Sequence, residues 1–155
     1  ESIQPGQLIV PHDILDYTQG RANTYFEGPD HPIVYTDMSE PFDARIRANL
    51  IEAAQKLQLP VVTEAVYACT NGPRLETRAE VRRMASDGAQ VVGMTLVPEV
   101  ILAKEIGLNY AAITVCTNYA AGVGDTQAHD LQQWRALREQ SLAQVERVLL
   151  QWVAL

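Results

Sequence analysis

From residue 59 to residue 118 the chain alternates short apolar runs with helical stripes, and that alternation narrows the fold more than any other feature. LPVVTEAVYACT (59–70), AQVVGMT (89–95) and LNYAAITVCTN (108–118) read as strands. The segments between them, near 77–87 and from Val97 to Ile106, read as helices. Gly88 and Gly107 follow them as C-terminal caps, and Pro98 suits a first turn. Strands joined in this way run parallel, and a parallel sheet needs helices on both faces. The expected class is therefore α/β, with a mixed, mostly parallel central sheet flanked by helices in three layers.

The rest of the chain extends this plan. Ile46, Leu50, Ile51, Ala54 and Leu57 form one apolar stripe between Pro41 and Pro60, which predicts a helix over 43–58. From Asp130 onward, Leu131, Trp134, Leu137, Leu142, Val145, Val148, Leu149 and Trp152 predict a long amphipathic helix lying along the sheet, its tryptophans in the core. The first third reads as β-rich: QLIVP (7–11), a polar connection through DYTQGR, then TYFEG and PIVYTDM around a Gly28-Pro29-Asp30 turn. With 155 residues, 47% of them hydrophobic, the chain is expected to form a single domain over 1–155.

A formal charge of −7 argues against nucleic acid or an anionic membrane as the main partner, because both reward basic patches. No apolar run reaches the ~20 residues of a membrane helix, and the polar opening ESIQPGQ does not read as a signal peptide. Cys69 and Cys116 lie in apolar strand-like runs, as expected for buried, reduced thiols in a cytoplasmic protein. These cysteines, with His12, His31 and His129, show no paired metal spacing, so no metal is proposed. A P-loop or GxGxxG phosphate loop is also missing from the sequence.

Three strings stand where apolar runs end: NGPRLET at 71–77, VVGMTLVPE at 91–99 and TNYAAG at 117–122. Strand ends are the usual address of a ligand in an α/β protein, so Glu76, Met94, Thr95 and Asn118 are candidates to line one pocket. Each polar candidate also has a purely structural reading. Glu76 and Glu80 both suit the first turns of a helix, which suffices for Glu80 and leaves Glu76 open between that role and a ligand. Thr95 either meets an anion at a helix N-terminus or caps that helix. Asn118 either offers a donor and an acceptor to a planar heterocycle or forms a turn. Glu99 answers the helix dipole or pairs with an arginine.

Taken together and in this order, the strings resemble the trimeric purine nucleoside phosphorylase and methylthioadenosine phosphorylase family. GPRLET is similar to that family's GPRFET, VVGMTLVPE to its GMSTVPE segment, and TNYAAG to its base-binding strand end. IQPGQLIVPHDILDYTQGR, with Asp16, Thr18 and Arg21, and MSEPFD at 38–43 match further segments. The resemblance implies phosphorolysis, with inorganic phosphate as co-substrate and no cofactor. It implies that Asn118 bonds the purine at N7 and O6, that Glu76 accepts from N1–H, that Met94 packs under the ribose and that Thr95 contacts phosphate. Leu75 stands where the family has phenylalanine beside the base, which reduces stacking there. Asn118 and Glu76 would be the catalytic pair.

Base choice follows from donor and acceptor chemistry. Asn118 can donate to a 6-oxo group and the Glu76 carboxylate complements N1–H, whereas the bare N1 of adenine would face that carboxylate unfavourably. Within the family, GPRLETRAE and CTNYAAG look most like the S-methyl-5′-thioinosine branch; an inosine and guanosine phosphorylase is the alternative. The residue meeting the 5′ substituent is expected at His129 or Leu131. The resemblance also implies a homotrimer in which residues 25–33 of a neighbour, including Phe26 and His31, close the pocket. Finally, the family's first strand, glycine-containing phosphate loop and Arg-His-Gly segment have no counterpart in these residues. The expectation is a chain matching the C-terminal two-thirds, without the N-terminal strands and inactive or badly impaired alone.

Overall fold

The computed structural model describes residues 3–124 and 131–154. Along these the chain forms β1 (Leu8–Ile9), β2 (Asp13–Asp16), α1 (Ala44–Lys56), β3 (Val61–Val62), β4 (Val66–Cys69), α2 (Arg78–Ser86), β5 (Val91–Gly93), α3 (Leu96–Glu105), β6 (Thr114–Val115) and α4 (Leu131–Val153). Two three-stranded sheets result, ordered β3-β1-β6 and β2-β4-β5. Every pairing is parallel except that of β1 with β6.

The two sheets are one surface with an interruption. Leu8 faces Val61 and Asp13 faces Val66, so the chain keeps an offset of 53 residues from one sheet into the next. Between them Val10 still donates to the Val62 carbonyl at 2.9 Å and His12 to that of Ala65 at 3.0 Å. Pro11 has no N–H to offer at the break. Arg47 of α1 fills the gap: its Nε donates to the Pro11 carbonyl at 2.8 Å and its Nη2 to the Thr63 carbonyl at 2.6 Å. Carbonyls released from the ladder therefore remain bonded, as buried backbone groups must.

Alternation along β4 assigns the layers. Tyr67 and Cys69 join Leu96, Val97 and Val100 in the core beneath α3, while Ala68 packs with Val81 and Met84 of α2. Successive strand side chains point to opposite faces, so α2 and α3 cover opposite sides of the same strand. A further core unites Leu8 and Val10 with Leu50, Ala53 and Ala54 of α1 and Val148 of α4. The three-layer expectation holds, and α4 reaches the sheet beside α1. Trp152 is half-buried against this core. Expectations for His129 and for the side chains of Leu131 and Trp134 lie outside the described residues.

Helix boundaries follow local chemistry. Asp43 caps α1 by accepting from Ile46 N at 2.8 Å, and Thr77 and Glu80 form a reciprocal capping box at the start of α2. Regular α3 geometry begins at Pro98, because Val97 before it is extended. The first third departs from expectation. TYFEG and PIVYTDM form no strand, and Ile33 and Tyr35 there are 79% and 90% exposed. Their β-forming residues find no ladder to join. The strand that does form, β2, begins inside what had read as the link after QLIVP and runs to Asp16 in the register set by β1. No helix among the described residues is long and apolar enough to cross a membrane.

Val148 is fully buried whereas Leu150, two residues on, is 66% exposed. We expect Val148→Ala to lower unfolding free energy by about 1–3 kcal/mol and Leu150→Ala by less than about 0.5 kcal/mol, measured by urea denaturation.

Candidate active site

β4 and β5 end level with one another, since Thr70 N donates to the Gly93 carbonyl at 2.9 Å. Two glycines fit these elements together, Gly72 between the loops that follow them and Gly93 between the strands themselves. A Cβ on Gly72 would run into the Met94 sulfur, and one on Gly93 into the Tyr67 hydroxyl. Gly72 also sits at φ +61°, so it is glycine for conformation and for space. Burial pushes the Tyr67 phenol up, while hydrogen bonds from Thr95 pull the other way. Tyr67 thus anchors the turn after β5 from below.

Arg21 ties the same loops from the side. Its guanidinium donates to the carbonyls of Met94 at 2.8 Å, Thr70 at 3.2 Å and Asn71 at 3.3 Å, and also to that of Val97. The planar fork lets one side chain serve carbonyls from two loops, which a lysine ammonium does less well. Nearby, Gln19 and Asn71 exchange hydrogen bonds of 3.1 and 3.0 Å. The DYTQGR segment is therefore a brace for the loops that follow β4 and β5.

Beside these loops lies a cavity of about 570 Å³ lined by Tyr67 of β4, by β5 and β6, and by Val81 and Met84 of α2. Leu75, Glu76, Met94 and Asn118 all line it, so four of the expected residues share one site. Glu76 Oε1 accepts from the Thr70 hydroxyl at 2.7 Å. Asn118 Oδ1 accepts from the Thr117 hydroxyl at 2.8 Å, and its Nδ2 donates to the Tyr119 carbonyl at 3.0 Å. Cys116 also lines the cavity, its thiol pushed up by burial. Mostly apolar walls with a few converging polar groups suit a planar heterocycle.

Thr95 stands apart. It does not line this cavity, it is exposed, and it opens α3 without a side-chain cap, because its hydrogen-bonding groups are turned to Tyr67. Glu99 accepts from the Tyr110 hydroxyl at 2.8 Å, in place of the arginine pairing considered from the sequence. Glu80 does what helix position predicts: its carboxylate takes Arg74 at 2.9 and 2.7 Å and the Thr77 N–H at 2.7 Å. The loop over 25–33 is anchored only at its start, where Glu105 accepts from Thr24 Oγ1 at 2.5 Å and from Tyr25 N at 2.6 Å. Phe26 and His31 meet edge-on there, their ring centroids 6.2 Å apart. Among the described residues no group of three His, Cys, Asp or Glu is placed to hold a metal.

Two functional neighbours escaped the sequence reading. Thr70 looked like the last residue of a strand, and Arg21 belonged to a motif without an assigned task. The available signal was position: each lies within a few residues of a Gly or Asn that breaks a strand.

Residues 1–153 match the model of the phosphorylase superfamily, and the chain belongs to that family. It is 47% identical over 124 residues to a probable S-methyl-5′-thioinosine phosphorylase of Thermodesulfovibrio yellowstonii, covering 79% of this chain and 46% of the relative. It is 41% identical over 126 residues to the 6-oxopurine nucleoside phosphorylase of Pyrococcus furiosus, covering 78% and 48%. Its fold superposes on methylthioadenosine phosphorylase from Schistosoma mansoni in complex with adenine with a TM-score of 0.91, at 32% identity, over 99% of this chain and 60% of that one. The chain spans about half the length of the curated relatives it matches.

Two outcomes follow. Arg21→Lys keeps the charge and loses the fork, so amide exchange over 94–97 should quicken by about tenfold or more, read by hydrogen–deuterium exchange. Arg74, with the Thr77 N–H beside it, draws the Glu80 carboxyl from its ordinary 4.5 down to about 2. A depressed carboxyl stabilises the fold above its unfolded value and loses that contribution as pH falls through the folded one. The stability difference between wild type and Glu80→Gln should therefore be largest above pH 4.5 and shrink towards pH 2, followed by thermal melts.

Proposed function

We propose that the protein serves phosphorolysis of a 6-oxopurine nucleoside, with S-methyl-5′-thioinosine as the favoured substrate and hypoxanthine and 5-methylthioribose 1-phosphate as products. The observation that carries this reading is the convergence of Leu75, Glu76, Met94 and Asn118 on one cavity of about 570 Å³. The names of its relatives, methylthioinosine and 6-oxopurine nucleoside phosphorylases, support it.

In this reaction a phosphate oxygen attacks the anomeric carbon as the bond to N9 breaks, and the electron pair passes to the purine. The sugar develops oxocarbenium character and the base develops negative charge. Asn118, at the end of β6, supplies an amide whose donor and acceptor complement N7 and O6; a donor aimed at developing charge is worth about 10²–10³ in rate. Glu76 receives N1–H and so selects the 6-oxo tautomer. Met94 lies under the sugar, held by Gly72. Thr95, exposed at the start of α3 and outside the lining of the cavity, is the phosphate contact. Inorganic phosphate is a co-substrate and no further cofactor is required.

Residues 25–33 form the loop that a neighbouring copy receives in a homotrimer. Tyr25 is 54% exposed and Ile33 79%, apolar surface that association would cover. The reaction belongs to purine and methylthio-nucleoside salvage in the cytoplasm, with neither nucleic acid nor membrane as partner.

Base binding is the primary readout, because the cavity holds the base-selecting residues. Calorimetric titration with hypoxanthine should give saturable binding that Asn118→Ala weakens by about tenfold. Wherever phosphate-dependent release of hypoxanthine from methylthioinosine is measurable, the same change should lower it by about 10²–10³. Unchanged hypoxanthine affinity in Asn118→Ala, or release that ignores phosphate, overturns the reading.

A further inference from the structure

Glu76 lies in the wall between two cavities. It lines the larger one with Met94 and Asn118, and it also lines a smaller one of about 360 Å³ with Thr70, Asn71 and Arg74. Thr70 lines only the smaller. Its hydroxyl donates to Glu76 Oε1 at 2.7 Å. A hydroxyl has one proton to give. The competing acceptor, the Gly93 carbonyl, is 3.4 Å away, so the short bond to Glu76 takes it.

The backbone of Thr70 is fixed on both sides. Its N–H donates to the Gly93 carbonyl at 2.9 Å and its own carbonyl accepts from Arg21 at 3.2 Å. A donor held this firmly orients the Glu76 carboxyl plane and occupies one of its oxygens, leaving the other to accept from a ligand. Adenine, whose N1 is only an acceptor, would require the protonated acid as donor.

We propose that Thr70 is a positioning residue that sets base specificity: its hydroxyl locks Glu76 as an acceptor and so enforces the choice of 6-oxopurines over 6-aminopurines. This rests on the base-site reading of Glu76 given above. Thr70 never meets the base. It acts through the carboxylate, from the second cavity.

The test is calorimetric titration of this chain with hypoxanthine and with adenine at neutral pH, in wild type, Thr70→Val, Thr70→Ser and Glu76→Gln, and in Glu76→Gln carrying Thr70→Val. Thr70→Val keeps the shape without the proton, and should cut the hypoxanthine-to-adenine affinity ratio by about tenfold. Thr70→Ser should hold the ratio within about threefold of wild type. In the Glu76→Gln background Thr70→Val should leave the ratio unchanged, an outcome that general loosening of the loop does not produce. A wild type that prefers hypoxanthine while Thr70→Val prefers it equally overturns the role of Thr70 alone. A wild type that shows no preference overturns the base-site reading and this inference with it. Should Thr70→Val unfold, Thr70→Ser against Thr70→Ala carries the same comparison.

Discussion

One guanidinium holds the candidate site together. The loop after β4 carries Glu76 and the turn after β5 carries Met94, and neither loop has a ladder partner once its strand has ended. Arg21 gathers carbonyls from both, Thr70 and Asn71 on one side and Met94 and Val97 on the other. Carbonyls left bare beside a partly buried site would each cost about 1–3 kcal/mol, so this ion stabilises the backbone that positions the side chains. Arg47 plays the corresponding part at the break in the sheet, bonding the Pro11 and Thr63 carbonyls. In both places an arginine from one element occupies a spot where strand geometry stops.

The interlock of glycines makes the two loops interdependent. Met94 occupies the space a side chain on Gly72 would take, and Tyr67 the space of one on Gly93. Each loop therefore fixes the other through packing as well as through Arg21. Close packing transmits displacement, so a shift in the turn after β5 would be felt at Glu76 through Gly72 and Thr70. The Glu76 carboxylate is consequently set in part by residues that do not line the cavity, Gly72, Thr70 and Arg21.

Much of this was readable from the chain. The alternation over 59–118 gave the succession of strands and helices, except that the run 59–70 read as one strand forms β3 and β4 in different sheets, and the stripe from Ile46 to Leu57 gave α1 because period and burial agree there. Glu76, Met94 and Asn118 were legible together because each follows a strand end, and Leu75 through the resemblance, whereas Thr95, grouped with them by the same rule, lies outside the cavity because it is turned towards Tyr67. The failures come from contacts remote in sequence. TYFEG and PIVYTDM carry β-forming residues, but β-structure requires a partner and local propensity does not supply one. The strand over Asp13–Asp16 was missed for the converse reason, since its polar ends conceal a register inherited from β1. Thr70 and Arg21 act through backbone carbonyls and a neighbouring carboxylate, contacts that no spacing in the sequence records.

In the proposed function, base choice rests on these loop ends and not on the scaffold. The fold superposes on an adenine-bound methylthioadenosine phosphorylase with a TM-score of 0.91, while the relatives at higher identity carry the names of methylthioinosine and 6-oxopurine enzymes. A scaffold common to both kinds of name cannot by itself distinguish them. The difference between a 6-oxo and a 6-amino purine reduces to the direction of one hydrogen bond at N1 and one at the exocyclic group. A carboxylate at position 76 fixes the first, an amide at position 118 is compatible with the second, and only the first is rigid in sign, because an amide presents both a donor and an acceptor. In the proposed reading discrimination therefore falls mainly on Glu76, and whatever holds that carboxylate in orientation governs it.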